Sequence, residues 1–102
     1  MIEPRAQRQP STCRVELFGV ARVLTGIKAV DLPVAVGTTL GDIISGLAEA
    51  YPALVGPVVR PDLHSLVEGQ VFSRNGRGFV SDPTAPISAG DTLLLIYAAA
   101  GG

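Results

Sequence analysis

One stretch of this chain is written in the rhythm of a long helix. In TTLGDIISGLAEAYP, residues 38–52, the apolar side chains Leu40, Ile43, Ile44, Leu47 and Tyr51 fall at i, i+3, i+4, i+7 and i+11. That spacing gathers them into a single stripe, which has to be buried against something. Thr39 with Asp42 three residues on supplies a capping-box start, and Pro52 supplies the stop. Gly41 and Gly46 each cost about 1 kcal/mol relative to alanine, so tertiary packing must hold the helix in place. Elsewhere the chain shows period-two alternation and short apolar runs. The helix therefore has to lie across a sheet.

The strands can be read in turn. CRVELFGV, residues 13–20, puts Cys13, Val15 and Leu17 on one face and Arg14, Glu16 and Phe18 on the other. The charged pair marks the outer face, and Phe18 is expected to share it. ARVLTG, residues 21–26, turns the chain at Gly26. In IKAVDLPV, residues 27–34, Val30, Leu32 and Val34 point inward and Ala29, Asp31 and Pro33 outward. Pro33 has no N–H, which suits an edge strand or a strand end.

Beyond the helix, ALVGPVVRPDLHSL, residues 53–66, is broken by prolines and reads as a loop with a short helical turn. GQVFSRNGRGFV, residues 69–80, is a hairpin around Asn75-Gly76. SDPTAPISAG is a turn-rich connection. DTLLLIYA, residues 91–98, is apolar on both faces, as a central strand should be. The order β-β-α-β-β-β, with the first and last strands parallel at the centre, describes an α+β domain with a mixed sheet and one main helix, a β-grasp. A small open barrel is the competing arrangement.

The 102 residues fit one domain. Residues 1–12 are polar and read as a flexible lead-in, 13–97 as the domain, and 98–102 as a flexible tail. Eight basic residues are dispersed in a chain of net charge -1. They form no concentrated basic face, so no nucleic-acid partner is expected. The longest apolar run, Leu93 to Ala100, is far below the ~18 residues a membrane span needs, and MIEPRAQRQPST lacks the apolar block of a secretory signal. No membrane partner and a cytoplasmic location are expected.

Candidate chemistry is sparse. Cys13, the single cysteine, has no disulfide partner and reads as a small buried hydrophobe. His64 is the single histidine and reads as a surface loop residue. Scattered acidic residues offer no metal spacing. Ser65 beside His64 does not define a nucleophile and its base. GTTLGD and RNGRG lack the spacing of a phosphate-cradling loop. No bound cofactor and no catalytic activity of the isolated chain are expected.

What remains is the end of the sequence, Ala98, Ala99, Ala100, Gly101 and Gly102. Glycine is the poorest residue for anchoring a chain, yet a run of small side chains makes a slim tail. Extended, Ala98 to Gly102 spans roughly 16–18 Å. Such a tail can carry the Gly102 carboxylate into a partner's narrow channel, where adenylation would make it reactive.

From Cys13 to Gly102 the sequence resembles the MoaD/ThiS sulfur-carrier family of ubiquitin-like β-grasp proteins. VELFGVARVLTG is similar to that family's first strand and turn, with Phe18, Arg22, Leu24 and Gly26 at matching positions. TTLGDIISGLAEAYP fits its helix, and AGDTLLLIYAAAGG resembles its GD turn, last strand and Gly-Gly end. The resemblance implies an E1-like adenylyltransferase of the MoeB/ThiF type, which uses ATP to adenylate Gly102. Sulfur then replaces the adenylate, and the thiocarboxylate donates it to an acceptor biosynthetic enzyme, a molybdopterin synthase large subunit or another. Molybdopterin small subunits usually carry a proline pair before the tail, where this chain has Tyr97 and Ala98. Carriers for thiamine, cysteine or another sulfur-containing product stay open. So do two other classes, a ubiquitin-like protein modifier and a non-covalent binding module. Partner docking is expected on the outer face at Phe18, Leu94 and Ile96, with Arg22 at the rim.

Overall fold

Two strands from opposite ends of the chain lie side by side at the centre of the sheet. They are β1 (Thr12–Leu17) and β5 (Thr92–Tyr97), and they run parallel, with Val15 opposite Leu93 and Leu17 opposite Leu95. In this computed structural model, which describes residues 11–98, β2 (Ala29–Pro33) pairs antiparallel with β1. On the other side β3 (Gln70–Arg74) pairs antiparallel with β5, and β4 (Phe79–Val80) with β3. The sheet order is β2-β1-β5-β3-β4. Pro33 closes an edge strand, where its missing N–H costs no ladder bond. The expected lead-in up to Pro10 and the tail from Ala99 onward lie outside the described residues.

The inner face holds the core. Cys13, Val15, Leu17, Phe72, Leu93 and Leu95 are fully buried, together with Leu40, Ile43, Ile44 and Leu47 of the long helix. That helix spans Leu40–Ala50. It starts as its sequence requires, with the Asp42 N–H donating to Thr39 Oγ1 at 3.3 Å and the Thr39 N–H to Asp42 Oδ2 at 3.0 Å. Gly41 is there because the chain passes close by. A methyl group at Gly41 would sit 3.2 Å from the Pro83 carbonyl oxygen, so the connection before β5 presses against the helix's first turn.

Two segments differ from their sequence reading. Residues 21–26 are not a plain turn, and Gly19 and Val20 do not extend the first strand: Gly19–Thr25 form a short helix, α1, which makes the Leu40–Ala50 helix α2. No side chain caps its start, and Phe18, the residue at its N-cap, is apolar. That is why its beginning carries no legible signal. Its end does: Gly26 takes φ 76 and donates its N–H to the Arg22 carbonyl, the usual left-handed glycine stop. The 53–66 segment is also more than a loop. After a 3-10 turn at Pro52–Leu54, it folds back so that Val59 bridges both Val55 and Leu66. Leu54, Val58 and Val59 are fully buried in the core.

The hairpin follows its turn residues. Asn75 and Gly76 take φ 51 and 70, and the Arg77 N–H donates to the Arg74 carbonyl at 2.8 Å. Positive φ at both central positions is the turn that matches strand twist. The same Asn75 side chain donates to Asp91 Oδ1 at 3.0 Å and accepts from the Thr92 N–H at 2.8 Å. Asp91 also receives Arg74 Nη2 at 2.7 Å and the Ser88 N–H at 2.9 Å on Oδ2. One carboxylate thus ties the hairpin to the start of β5.

Candidate functional site

Alternation along β5 settles which side chains face away from α2. Leu93 and Leu95 are fully buried, so Leu94 and Ile96 point to the opposite face, where both are half-buried. Phe18 continues β1 by one extended residue (φ -130, ψ 161) and donates its N–H to the Leu95 carbonyl at 3.2 Å. The register that sets Leu17 opposite Leu95 carries Phe18 into the row of Ile96. Across β5, Val71 is the partner of Ile96. One row over, Glu16, Leu94, Ser73 and Phe79 line up through the same ladders.

The outer face is therefore apolar toward the C-terminal end of β5 and charged toward its start. At the start, Arg14 pairs with Glu16 at 3.1 Å and reaches Asp31 at 3.9 Å. The 53–66 segment buries Leu54, Val58 and Val59 in the same core as the α2 stripe. Phe18, Leu94 and Ile96 come together as expected. Val71 and Phe79 were not singled out from sequence. Phe79 is 68% exposed. The signal for both was present, since a buried Phe72 forces Val71 outward and the turn register carries Phe79 to the same side.

Arg22 is engaged within the chain. Its Nε donates to the Leu17 carbonyl at 2.9 Å, and its guanidinium carbon lies 5.0 Å from the centroid of the Phe18 ring. It holds the end of β1 and covers part of Phe18, a cation–π arrangement that also presents charge beside the apolar rows. Ala98 follows β5 directly and donates its N–H to the Gly69 carbonyl at 2.7 Å. Ala99, Ala100, Gly101 and Gly102 lie outside the described residues.

Cys13 and His64, the other reactive side chains considered from sequence, can also be placed. Burial, with Asp91 nearby, pushes the Cys13 thiol up to about 11, which leaves it protonated and inert at neutral pH. His64 is exposed. Ser45 Oγ lies 3.0 Å from His64 Nδ1, but that hydroxyl donates its one proton to the Leu63 carbonyl at 2.6 Å. The imidazole must then be the donor of the pair and cannot act as base toward Ser45. Asp62 accepts from the His64 backbone N–H. Among the described residues no group of three His, Cys, Asp or Glu side chains could hold a metal ion, and no helix is long and apolar enough to cross a membrane.

Similar folds occur among solved structures. The small archaeal modifier protein SAMP1 from Haloferax volcanii superposes with a TM-score of 0.74 at 28% identity, covering 89% of this chain and 99% of its own. A putative molybdopterin converting factor, subunit 1, from Pyrococcus furiosus gives 0.66 at 18% identity, over 86% of this chain and 98% of its own. This chain has the ubiquitin-like β-grasp fold. Urm1 from Trypanosoma brucei shares the fold as well, with a TM-score of 0.62 at 20% identity over 93% of this chain and 99% of its own. No family model and no curated protein sequence matches the chain. The neighbours bear out the β-grasp fold expected from the sequence, and the sheet places its apolar outer rows beside Ala98.

Proposed function

We propose that this β-grasp protein is a sulfur carrier, a protein cosubstrate whose Gly102 carboxylate is activated by an E1-like adenylyltransferase of the MoeB/ThiF type. The observation that carries the reading is the position of Ala98. The central strand ends at Tyr97, immediately before Ala98 and beside a half-buried apolar face, and the sequence goes on for Ala99-Ala100-Gly101-Gly102. A Gly102 carboxylate oxygen attacks the α-phosphorus of ATP and releases pyrophosphate. The terminal sulfur of a partner's persulfide then attacks the acyl carbon and expels AMP, giving an acyl disulfide, and a second thiol cleaves that disulfide to leave the Gly102 thiocarboxylate and a disulfide on the sulfur donor. The acceptor is a biosynthetic enzyme, with the molybdopterin synthase large subunit first and carriers for thiamine, cysteine or another sulfur-containing product as alternatives. The VELFGVARVLTG stretch favours the molybdopterin type, while Tyr97-Ala98 in place of a proline pair departs from it.

A second reading is favoured by the similarity to a protein named a modifier. The same activated glycine would then be captured by an amine and form an isopeptide bond. Intact mass of the chain after incubation with the adenylyltransferase, ATP and a sulfur source separates the two. The carrier reading expects one oxygen exchanged for sulfur at Gly102, and a mass that stays unchanged in the complete mixture would sink it. Lysine-linked conjugates without a thiocarboxylate would favour the modifier.

Docking of the activating partner on the outer rows is tested separately. Phe18→Asp and Ile96→Asp each place a charge among apolar side chains that are half-buried and outside the core. Circular dichroism should remain that of the folded protein, while adenylation should fall by about 100-fold, on the scale of losing a central interface anchor of roughly 2–4 kcal/mol. Normal activation of a folded Phe18→Asp protein would move the docking face elsewhere.

A further inference from the structure

Gly69 has two reasons to be glycine, and the second points at Tyr97. The Gln70 N–H donates to the Val67 carbonyl at 3.0 Å, closing a four-residue turn in which Gly69 takes φ 93. Positive φ at that place in a turn selects glycine. Beyond this, a methyl carbon built on Gly69 would overlap the Tyr97 ring, lying 3.0 Å from Cδ1 and Cζ and nearer still to Cε1. The ring occupies the space a side chain at residue 69 would need. Tyr97 is paired with Gln70 across the β3–β5 ladder, so Gly69 is the residue just before its partner, which begins β3. The next chain position, Ala98, donates its N–H to the Gly69 carbonyl at 2.7 Å. Tyr97 is 67% exposed, so it adds little to the core. What it covers is the glycine that receives this bond.

We propose that Tyr97 and Gly69 form a clamp that fixes where the chain leaves the sheet, so that the reach of Gly102 is counted from Ala98. This rests on Gly102 being the reacting end. Four residues past Ala98 span at most about 13–14 Å. If the Ala98 bond opened, the point of departure would slip by a residue, roughly 3.5 Å. The carboxylate would then be spread over a range of positions relative to the nucleotide. A misplacement of about 1 Å already costs on the order of 100-fold in a positioned reaction. Tyr97 is thus a positioning residue that acts through Ala98 and touches no reacting atom.

Amide hydrogen exchange at Ala98 in the free protein, and steady-state adenylation by the cognate adenylyltransferase, test this on Tyr97→Ala, Tyr97→Phe and Gly69→Ala. Tyr97→Ala should melt with the wild type to within a few degrees, exchange the Ala98 amide at least about 10-fold faster, and lose about 10-fold in kcat with KM for the carrier unchanged. Gly69→Ala, which expels the ring, should behave alike in exchange and kcat. Tyr97→Phe, which keeps the ring, should match the wild type in both. Unchanged Ala98 protection in Tyr97→Ala overturns the clamp. So does lost protection with wild-type kcat, and so does a rise in KM alone, which would make Tyr97 a docking contact. If wild-type protein is not adenylated at all, the Gly102 reading fails, and the exchange measurement still decides whether the clamp exists.

Discussion

Replacing Phe72 by alanine is expected to cost about 3–5 kcal/mol, a large share of the roughly 5–15 kcal/mol that holds a domain of this size together. Phe72 is the largest fully buried side chain of the core. It stands between two paired strands, opposite Leu95 on one side and Val80 on the other. Both neighbours are fixed in ladders and cannot close over the space that the ring vacates. The melting temperature should drop on the order of 15–30 °C. Phe79 gives the internal contrast. It lies in the same hairpin, seven residues on, yet faces outward at 68% exposure, so Phe79→Ala should stay within about 1 kcal/mol of wild type. Urea unfolding of the two variants side by side checks this. A Phe72→Ala cost below about 1.5 kcal/mol would mean that the inner face is packed differently from the description above.

Asp91→Ala should cost about 2–3 kcal/mol at pH 7, because three donors lose their acceptor together. The Asp91 side chain is 12% exposed and the Arg74 side chain 30%, so the guanidinium and the Asn75 amide are only partly able to turn to water. Burial acts to raise the Asp91 pKa. The hydrogen bonds from Asn75, Ser88 and Arg74, with the Arg74 charge, outweigh it and hold the carboxyl below the usual carboxylate range. The sign of the pH dependence follows. A carboxyl whose folded pKa is depressed contributes its stability in full above the unfolded value of about 3.9 and loses it as pH falls through the folded value. The stability gap between wild type and Asp91→Ala should therefore be widest near neutral pH and shrink below about pH 4. Denaturant midpoints at pH 7 and pH 3 measure it, and a gap that is equal at both would show that the carboxylate's charge contributes nothing.

Much of the fold was legible because strong local signals agreed with the tertiary answer. The α2 stripe, its Thr39–Asp42 cap, the Asn75-Gly76 turn and the phase of Cys13, Val15 and Leu17 all appear where the sequence places them. α1 was hidden because Phe18 offers no capping atom and seven residues hold barely two turns of periodicity. The inward burial of Val58 and Val59 was hidden because prolines on both sides mask any period, and only the fold-back onto Leu66 explains it. Phe18, Leu94 and Ile96 could be placed on the outer face from alternation alone. Val71 and Phe79 needed the hairpin register as well. The Tyr97–Gly69 contact depends on the β3–β5 pairing and on the turn that ends at Gln70, which no linear pattern records.

The parallel pairing of β1 with β5 joins segments separated by almost the whole described chain. Such a ladder cannot nucleate locally: the loop between its strands must close first, and the entropy of that closure precedes any return from pairing. During synthesis from the first residue onward, β1, β2 and α2 can assemble only half of a sheet whose middle place is still vacant. Leu17, Val15 and the α2 stripe wait there for Leu93 and Leu95. Until the final strand has been made and inserted, the polypeptide has an exposed strand edge and an open core, and a newborn chain stalled before Thr92 is a substrate for chaperones and proteases, with no central strand to fill the gap.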